Sequence, residues 1–144
     1  MSKSNTNENS WLLLIFNATA FADLAQDDGS SPATNLYVSL HSSDPGEAAT
    51  QSTNEIAYTS YARVAVARTS GGWTVSTNTV TNAAEVAFPA CTGSSASPTY
   101  VGVGVASSGA GVLLYSGALT GSPPAISTGI TPRFLTGQIS ITED

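Results

Sequence analysis

Residues Asn35 to Ala48 read N-L-Y-V-S-L-H-S-S-D-P-G-E-A, and the rest of the chain is organised as partners for this stretch. Leu36, Val38 and Leu40 fall on one side and Tyr37, Ser39 and His41 on the other, the period-two alternation of a half-buried strand. Asp44-Pro45-Gly46 follows with a side-chain acceptor, a fixed φ and a residue that tolerates positive φ, so the chain should reverse there.

Downstream, the same alternation recurs in short runs. Tyr61 to Thr69 reads as a strand, Gly71-Gly72 as a turn, Trp73 to Val80 as a strand with Trp73, Val75 and Thr77 on one face, and Ala84 to Phe88 as a strand with Val86 and Phe88 inward. Thr99 to Ala106 carries Val101, Val103 and Val105 on one face and Gly102 and Gly104 on the other. Glycines repeated on one face leave room for a large ring or a close backbone, and Trp73 is a candidate to fill it. Val112 to Leu119 returns as the hairpin partner, and segments from Ile130 to Leu135 and Gly137 to Thr142 close the set, with Ile139 and Ile141 inward. The spacing predicts an all-β fold, a β-sandwich of jelly-roll type with roughly eight strands. Glu47 to Thr59, rich in Ser, Thr and Gln, is expected to lie on a surface or in an interface.

Upstream, residues 1–9 form a polar arm with nothing to bury, and one N-terminal helix is expected over about 10–26, capped by Ser10. Leu13, Phe16, Ala20 and Leu24 form its stripe, and Leu12, Ile15 and Ala22 widen it. That surface is wider than one sheet edge usually requires, so either it lies deep in the domain, as a helix covering one end of the sandwich, or part of it meets another subunit. The expected interface residues are Trp11, Leu12, Ile15 and Phe16 on the helix, with Tyr58 and Tyr61 on the loop side. Residues 10–144 are expected to form a single domain, as suits 144 residues with 41% hydrophobic content.

Charge narrows the partners. Only 10% of residues are charged, against about 25% in an average soluble domain. The formal net charge is -6, and the cations are Lys3, Arg63, Arg68 and Arg133. Arg63 and Arg68 are an odd number of positions apart on one strand and face opposite sides, so they make no phosphate-binding cluster, and no direct nucleic-acid partner is expected. No lysine follows Lys3, which argues against an anionic membrane surface. The apolar run Trp11 to Phe16 is too short for a secretory leader or a membrane span.

The residues that could carry chemistry are few. His41 is the only histidine and shares a strand face with Ser39, which keeps a hydrolase reading formally open, but no nucleophile elbow accompanies it and a surface or interface histidine is expected. Cys91, the only cysteine, lacks a nearby cation and reads as a small buried hydrophobe. One His and one Cys make no zinc site, and neither Asp27-Asp28 nor Asp44 with Glu47 has the ligand spacing of a calcium loop. Gly102-Val103-Gly104 lacks the rest of a dinucleotide fingerprint. Glu55 and Glu85 could be imagined as a glycosidase pair, but nothing suggests a cleft between them. No catalytic residue, metal or cofactor is expected.

The strings L-Y-V-S-L-H-S-S-D-P-G-E-A (36–48), Y-A-R-V-A-V-A-R (61–68), G-G-W-T-V (71–75), F-P-A-C-T-G (88–93), G-V-G-V-A-S-S-G-A-G (102–111), L-L-Y-S-G-A-L (113–119) and the closing G-I-T-P-R-F-L-T-G-Q-I-S-I-T-E-D resemble a family of small tailed-bacteriophage virion proteins, tail-fibre-like or capsid cement. The resemblance implies a virion structural protein made in the host bacterial cytoplasm, and brings no catalytic residues. A capsid decoration (cement) protein on the capsid exterior is the first expectation. Its partners would be the major capsid protein and copies of itself in a homo-oligomer, with arm and helix as docking elements. The alternative is a tail-fibre or baseplate component that binds a host receptor or another tail protein, with Tyr58, Tyr61, Trp73 and Tyr100 as aromatics for glycan stacking.

Overall fold

The computed structural model describes residues 3–21, 24–25, 32–121 and 123–143. The chain is mostly β, with one helix, α1 (Asn5–Asn17), and nine strands where about eight were expected: β1 (Asn35–His41), β2 (Val64–Ala67), β3 (Trp73–Ser76), β4 (Thr79–Asn82), β5 (Val86–Ala87), β6 (Tyr100–Gly104), β7 (Leu113–Ala118), β8 (Arg133–Phe134) and β9 (Ser140–Thr142). They form a four-stranded sheet in the order β2-β1-β6-β7, a three-stranded sheet β3-β4-β9 and a two-stranded pair β5-β8. Two compact units result, one from Met1–Asn35, Val66–Val86 and Phe134–Asp144, the other from Leu36–Ala65 and Ala87–Arg133.

In the first unit the helix begins five residues earlier than expected and ends far short of residue 26. Ser4 is the N-cap, its hydroxyl accepting from the Asn7 amide at 3.4 Å. The polar stretch from Asn5 to Asn9 therefore lies inside α1. Ser10, expected as the cap, instead donates to the Thr6 carbonyl one turn back at 2.9 Å. The helix stops at Ala18, which takes the left-handed conformation with φ 51°, while the Thr19 amide donates to the Leu13 carbonyl. Arg68 completes the cap from a distant part of the chain, its guanidinium donating at 2.7 Å to each of the Leu14 and Ile15 carbonyls. No local pattern announces this stop. Ala22 and Asp27-Asp28 lie outside the described residues.

Leu12 and Phe16, one turn apart, are fully buried, and the Phe16 ring meets Trp73 edge-on at 4.8 Å. Val80, Val86 and Ile139 complete this core. Asn82 sits buried within it and is satisfied on every side. Its amide donates to the Ala84 and Leu135 carbonyls and its oxygen accepts from the Ile139 amide. Lys3 pairs with Glu143.

In the second unit β1 pairs antiparallel with β6 in the register Tyr37–Gly104, Ser39–Gly102, His41–Tyr100, and β6 pairs with β7, with an irregularity at Val103/Gly104. The hairpin of β6 and β7 is the one the alternation predicts. The turn after β1 also forms as read, with Asp44 Oδ1 accepting from the Gly46 amide at 2.9 Å and Gly46 at φ 80°. The half-buried expectation for β1 fails, since Val38, Ser39, Leu40 and His41 are all buried. The segment that covers the polar side is the Glu47 to Thr59 loop, which was expected to lie on a surface or in an interface. Ile56 and Ser42 amides join the 54–56 stretch to the end of β1, and Gln51, Ile56 and Tyr58 are buried.

Candidate functional site

Two features of the second unit carry its polar side chains. The first is buried. Strand alternation puts Ser39 and His41 on the same side of β1, and Ser39 Oγ lies 2.9 Å from His41 Nε2. His41 Nδ1 lies 2.9 Å from the Thr53 carbonyl oxygen, which can only accept. Nδ1 therefore carries the proton, and Nε2 accepts from the Ser39 hydroxyl. Burial holds the His41 pKa below its ordinary 6.5, against the raising influence of the Thr53 hydrogen bond and of Glu55, with Arg63 lowering it further.

This is the arrangement of a serine–histidine dyad, oriented by a carbonyl. Both residues nevertheless have zero exposure, so no solvent-borne substrate reaches the hydroxyl. His41 is thus buried within the chain's own fold and not the surface or interface histidine expected. A tertiary cause accounts for it: the floor beneath the pair is Gly102, where a Cβ would lie 2.6 Å from His41 Nε2 and 2.8 Å from Ser39 Oγ. Gln51 covers Gly104 in the same way, its amide donating to the Tyr37 carbonyl and accepting from the Ala106 amide at 2.8 Å. The glycine face of β6 is therefore filled by His41, Ser39 and Gln51 and not by Trp73, which belongs to the core of the first unit.

Next to the dyad, Glu55 and Arg63 form a bidentate pair with both contacts at 2.7 Å. The Arg63 side chain is 2% exposed, and its remaining donors reach the Ala106 and Gly109 carbonyls at 2.9 and 2.7 Å. Tyr61 bridges this pair to β1: its hydroxyl accepts from the Leu40 amide and donates to Glu55 Oε1. Burial pushes its phenol well above the ordinary range. The glycosidase reading of Glu55 fails here, because the carboxylate is committed to Arg63. As expected, Arg63 and Arg68 diverge, one serving the second unit and the other the α1 terminus.

The second feature is an open cleft of about 500 Å³ formed by the loop after β1 and by β6 and β7. Asp44 and Glu47 reach it from the loop, Tyr100 from β6, and Leu113, Tyr115 and Ser116 from β7. No arginine or lysine lines it. The sequence reading singled out Tyr100 but missed Tyr115, whose place depends on the pairing of β7.

The expected interface residues are dispersed. Leu12 and Phe16 are core residues of the first unit, Trp11 is 40% exposed and meets Phe21 edge-on, and Ile15 is half-buried. In the second unit Tyr58 is buried and donates to the Pro89 carbonyl at 2.7 Å, and Tyr61 is half-buried between Tyr58 and Phe88. Tyr58 and Trp73, both buried, are unavailable for stacking on a ligand. Cys91 is buried and free, as read from the sequence. Among the described residues no group of three or more His, Cys, Asp and Glu converges on a metal position, and no helix is long and apolar enough to cross a membrane.

No curated protein matches the chain. A family model does, that of the Podophage GP4 fiber I protein gp80, over residues 2–142. The match spans nearly every element described above, from α1 to β9. The chain belongs to the Podophage GP4 fiber I protein gp80 family and is a bacteriophage virion structural protein of tail-fibre-like type.

Proposed function

We propose that the protein is a structural component of the podophage tail-fibre apparatus, acting by contact with neighbouring virion proteins and copies of itself and not by catalysis. The observation that carries this reading is the family match over residues 2–142, whose description names a fibre protein. It reverses the order of the two expectations drawn from the sequence, in which capsid decoration came first. The sealed Ser39–His41 pair agrees with a role without turnover. Contacts to neighbours fall to the exposed apolar residues: Trp11 and Leu135 in the first unit, and Val105, Val112 and Ile130 in the second.

Quantitative mass spectrometry of purified virions, paired with immunogold labelling, tests the assignment. Copy number in a small ratio to the portal, with label at the tail, is the expected result. A copy number matching the major capsid protein, with label over the shell, would replace it with the cement role. Virions carrying Trp11→Asp or Val112→Asp should lose the protein although each variant folds.

A further inference from the structure

We infer that the outer edge of β7 binds an extended, cation-bearing peptide segment of a neighbouring protein as an added strand, seated in the cleft beside the loop after β1. The inference rests on the fibre reading for its setting, where the neighbours are other virion proteins, but its argument is geometric. β7 ends the order β2-β1-β6-β7, and β6 is its only strand neighbour among the described residues. The Leu119 amide donates to the Thr99 carbonyl, and alternation from there turns the backbone of Gly117 toward β6 and that of Ser116 and Ala118 outward. Ser116 and Ala118 are both exposed. Charge or proline usually blunts such an edge, and Leu113 to Ala118 contains neither. The irregularity at Val103/Gly104 lies opposite the start of β7 and leaves Tyr115 to Ala118 in regular register.

The chain itself pairs with the beginning of this edge. Thr50 bridges antiparallel to Val112, and the Gln51 amide donates to the Gly111 carbonyl at 2.9 Å. Toward Asp44 the loop then stands off β7, and the cleft of about 500 Å³ opens between them. Leu113, Leu114, Tyr115 and Ser116 line it consecutively, and since side chains alternate between the faces of a sheet, what these four share is the strand edge. Charge decides the occupant. Asp44 and Glu47 line the cleft from the loop and no cation does, so a segment with a lysine or arginine is favoured over an acidic one. A second copy of this chain fits poorly. It brings a further formal net charge of -6, and its Lys3, Arg63 and Arg68 are engaged with Glu143, Glu55 and the α1 carbonyls. Exposed ion pairs contribute little, so main-chain hydrogen bonds supply the affinity and the carboxylates the selectivity.

Isothermal titration and amide hydrogen exchange on the full chain test this with octapeptides that alternate Val-Thr, Ile-Ser or Tyr-Thr between terminal lysines. At least one should bind and protect the Ser116 and Ala118 amides from exchange. Its glutamate-ended counterpart should bind about tenfold more weakly at low salt. Of two N-methylated forms, each blocking one alternate set of peptide amides, one should lose binding and the other keep it. Ser116→Pro removes an amide that points away from β6, so the hairpin keeps its ladder, and should abolish binding. Should that variant misfold, the N-methylated pair reads the same contact without altering the protein. The inference is overturned by failure of all three lysine-ended peptides to bind, by equal binding of the two N-methylated forms, by protection away from β7, or by preference for glutamate ends. Binding untouched in a folded Ser116→Pro variant would do the same, as would a homodimer in sedimentation that this substitution breaks. Such failure leaves the fibre assignment standing on copy number and label, and a capsid stoichiometry with peptide binding intact would remove only the fibre assignment.

Discussion

Ser39 Oγ and His41 Nε2 lie 2.9 Å apart directly over Gly102, with no room at that glycine for even one more carbon. The pair has the bond order of a catalytic dyad and works as a sealed brace between β1, β6 and the loop carrying Thr53. Its polar atoms are satisfied internally, which is why burial is tolerated.

Gly102→Ala should destabilise the protein by about 1–3 kcal/mol, because the new Cβ meets His41 Nε2 at 2.6 Å and neither the ring nor the strand can retreat. His41→Ala should cost about 2–4 kcal/mol through the cavity and the abandoned Thr53 carbonyl. The double variant should lose less than the sum, since removing the ring makes space for the Cβ. Urea denaturation of the three variants measures this coupling, and strict additivity would show that the ring is not what Gly102 accommodates.

Acid should loosen the same brace. The folded His41 pKa lies below the 6.5 of an accessible histidine, so as pH falls the unfolded chain takes up the proton first. Stability attributable to His41 is therefore complete above 6.5 and is lost as pH falls toward the folded pKa. Thermal unfolding between about pH 7 and 5 should show a steeper loss for the natural protein than for His41→Gln. Parallel curves would mean that the histidine is not held neutral.

Glu55→Gln should be among the most damaging single substitutions in the second unit, at about 3–5 kcal/mol, because Arg63 is left nearly buried without its counter-charge. Arg63→Lys should also destabilise the fold, since an ammonium cannot span Glu55 and the Ala106 and Gly109 carbonyls together. Denaturation midpoints read both. Near-neutral effects would show that the pair is better solvated than its geometry implies.

Ala18→Gly should stabilise the first unit by up to about 1 kcal/mol. Ala18 is exposed and holds φ 51°, a conformation that glycine adopts without a Cβ penalty. A raised unfolding midpoint is the expected reading, and a lowered one would place the helix end elsewhere.

Local pattern made much of the second unit legible. The alternation of Leu36, Val38 and Leu40, the Asp44-Pro45-Gly46 turn and the β6–β7 hairpin all depend on neighbours within a few residues, and each is found where the sequence puts it. The α1 boundaries were not legible, because Ser4 outcompetes Ser10 as cap and the stop is made by Arg68, distant in sequence. His41 was misread for the same kind of reason. A polar residue on one strand face looks solvent-facing until the chain returns over it, and here the return brings the Thr53 carbonyl, Gln51 and the Glu55–Arg63 pair.

By itself, then, the amino-acid order determined an acidic, charge-poor, strand-rich chain with a helix near its start, the turn after β1 and the β6–β7 hairpin in place, and the stretches that resemble tailed-phage virion proteins. All of these depend on residue chemistry and on spacings of a few positions. Trp73 to Val80, read as one strand, instead folds back on itself as the β3–β4 hairpin. Only the tertiary structure decided that Ser39 and His41 are walled in, that Leu12, Phe16 and Tyr58 belong to cores, and that the loop after β1 stands off β7 across an open cleft. Those outcomes depend on which distant segments come together, and long-range pairing is set by the fit of whole surfaces, which no local periodicity encodes.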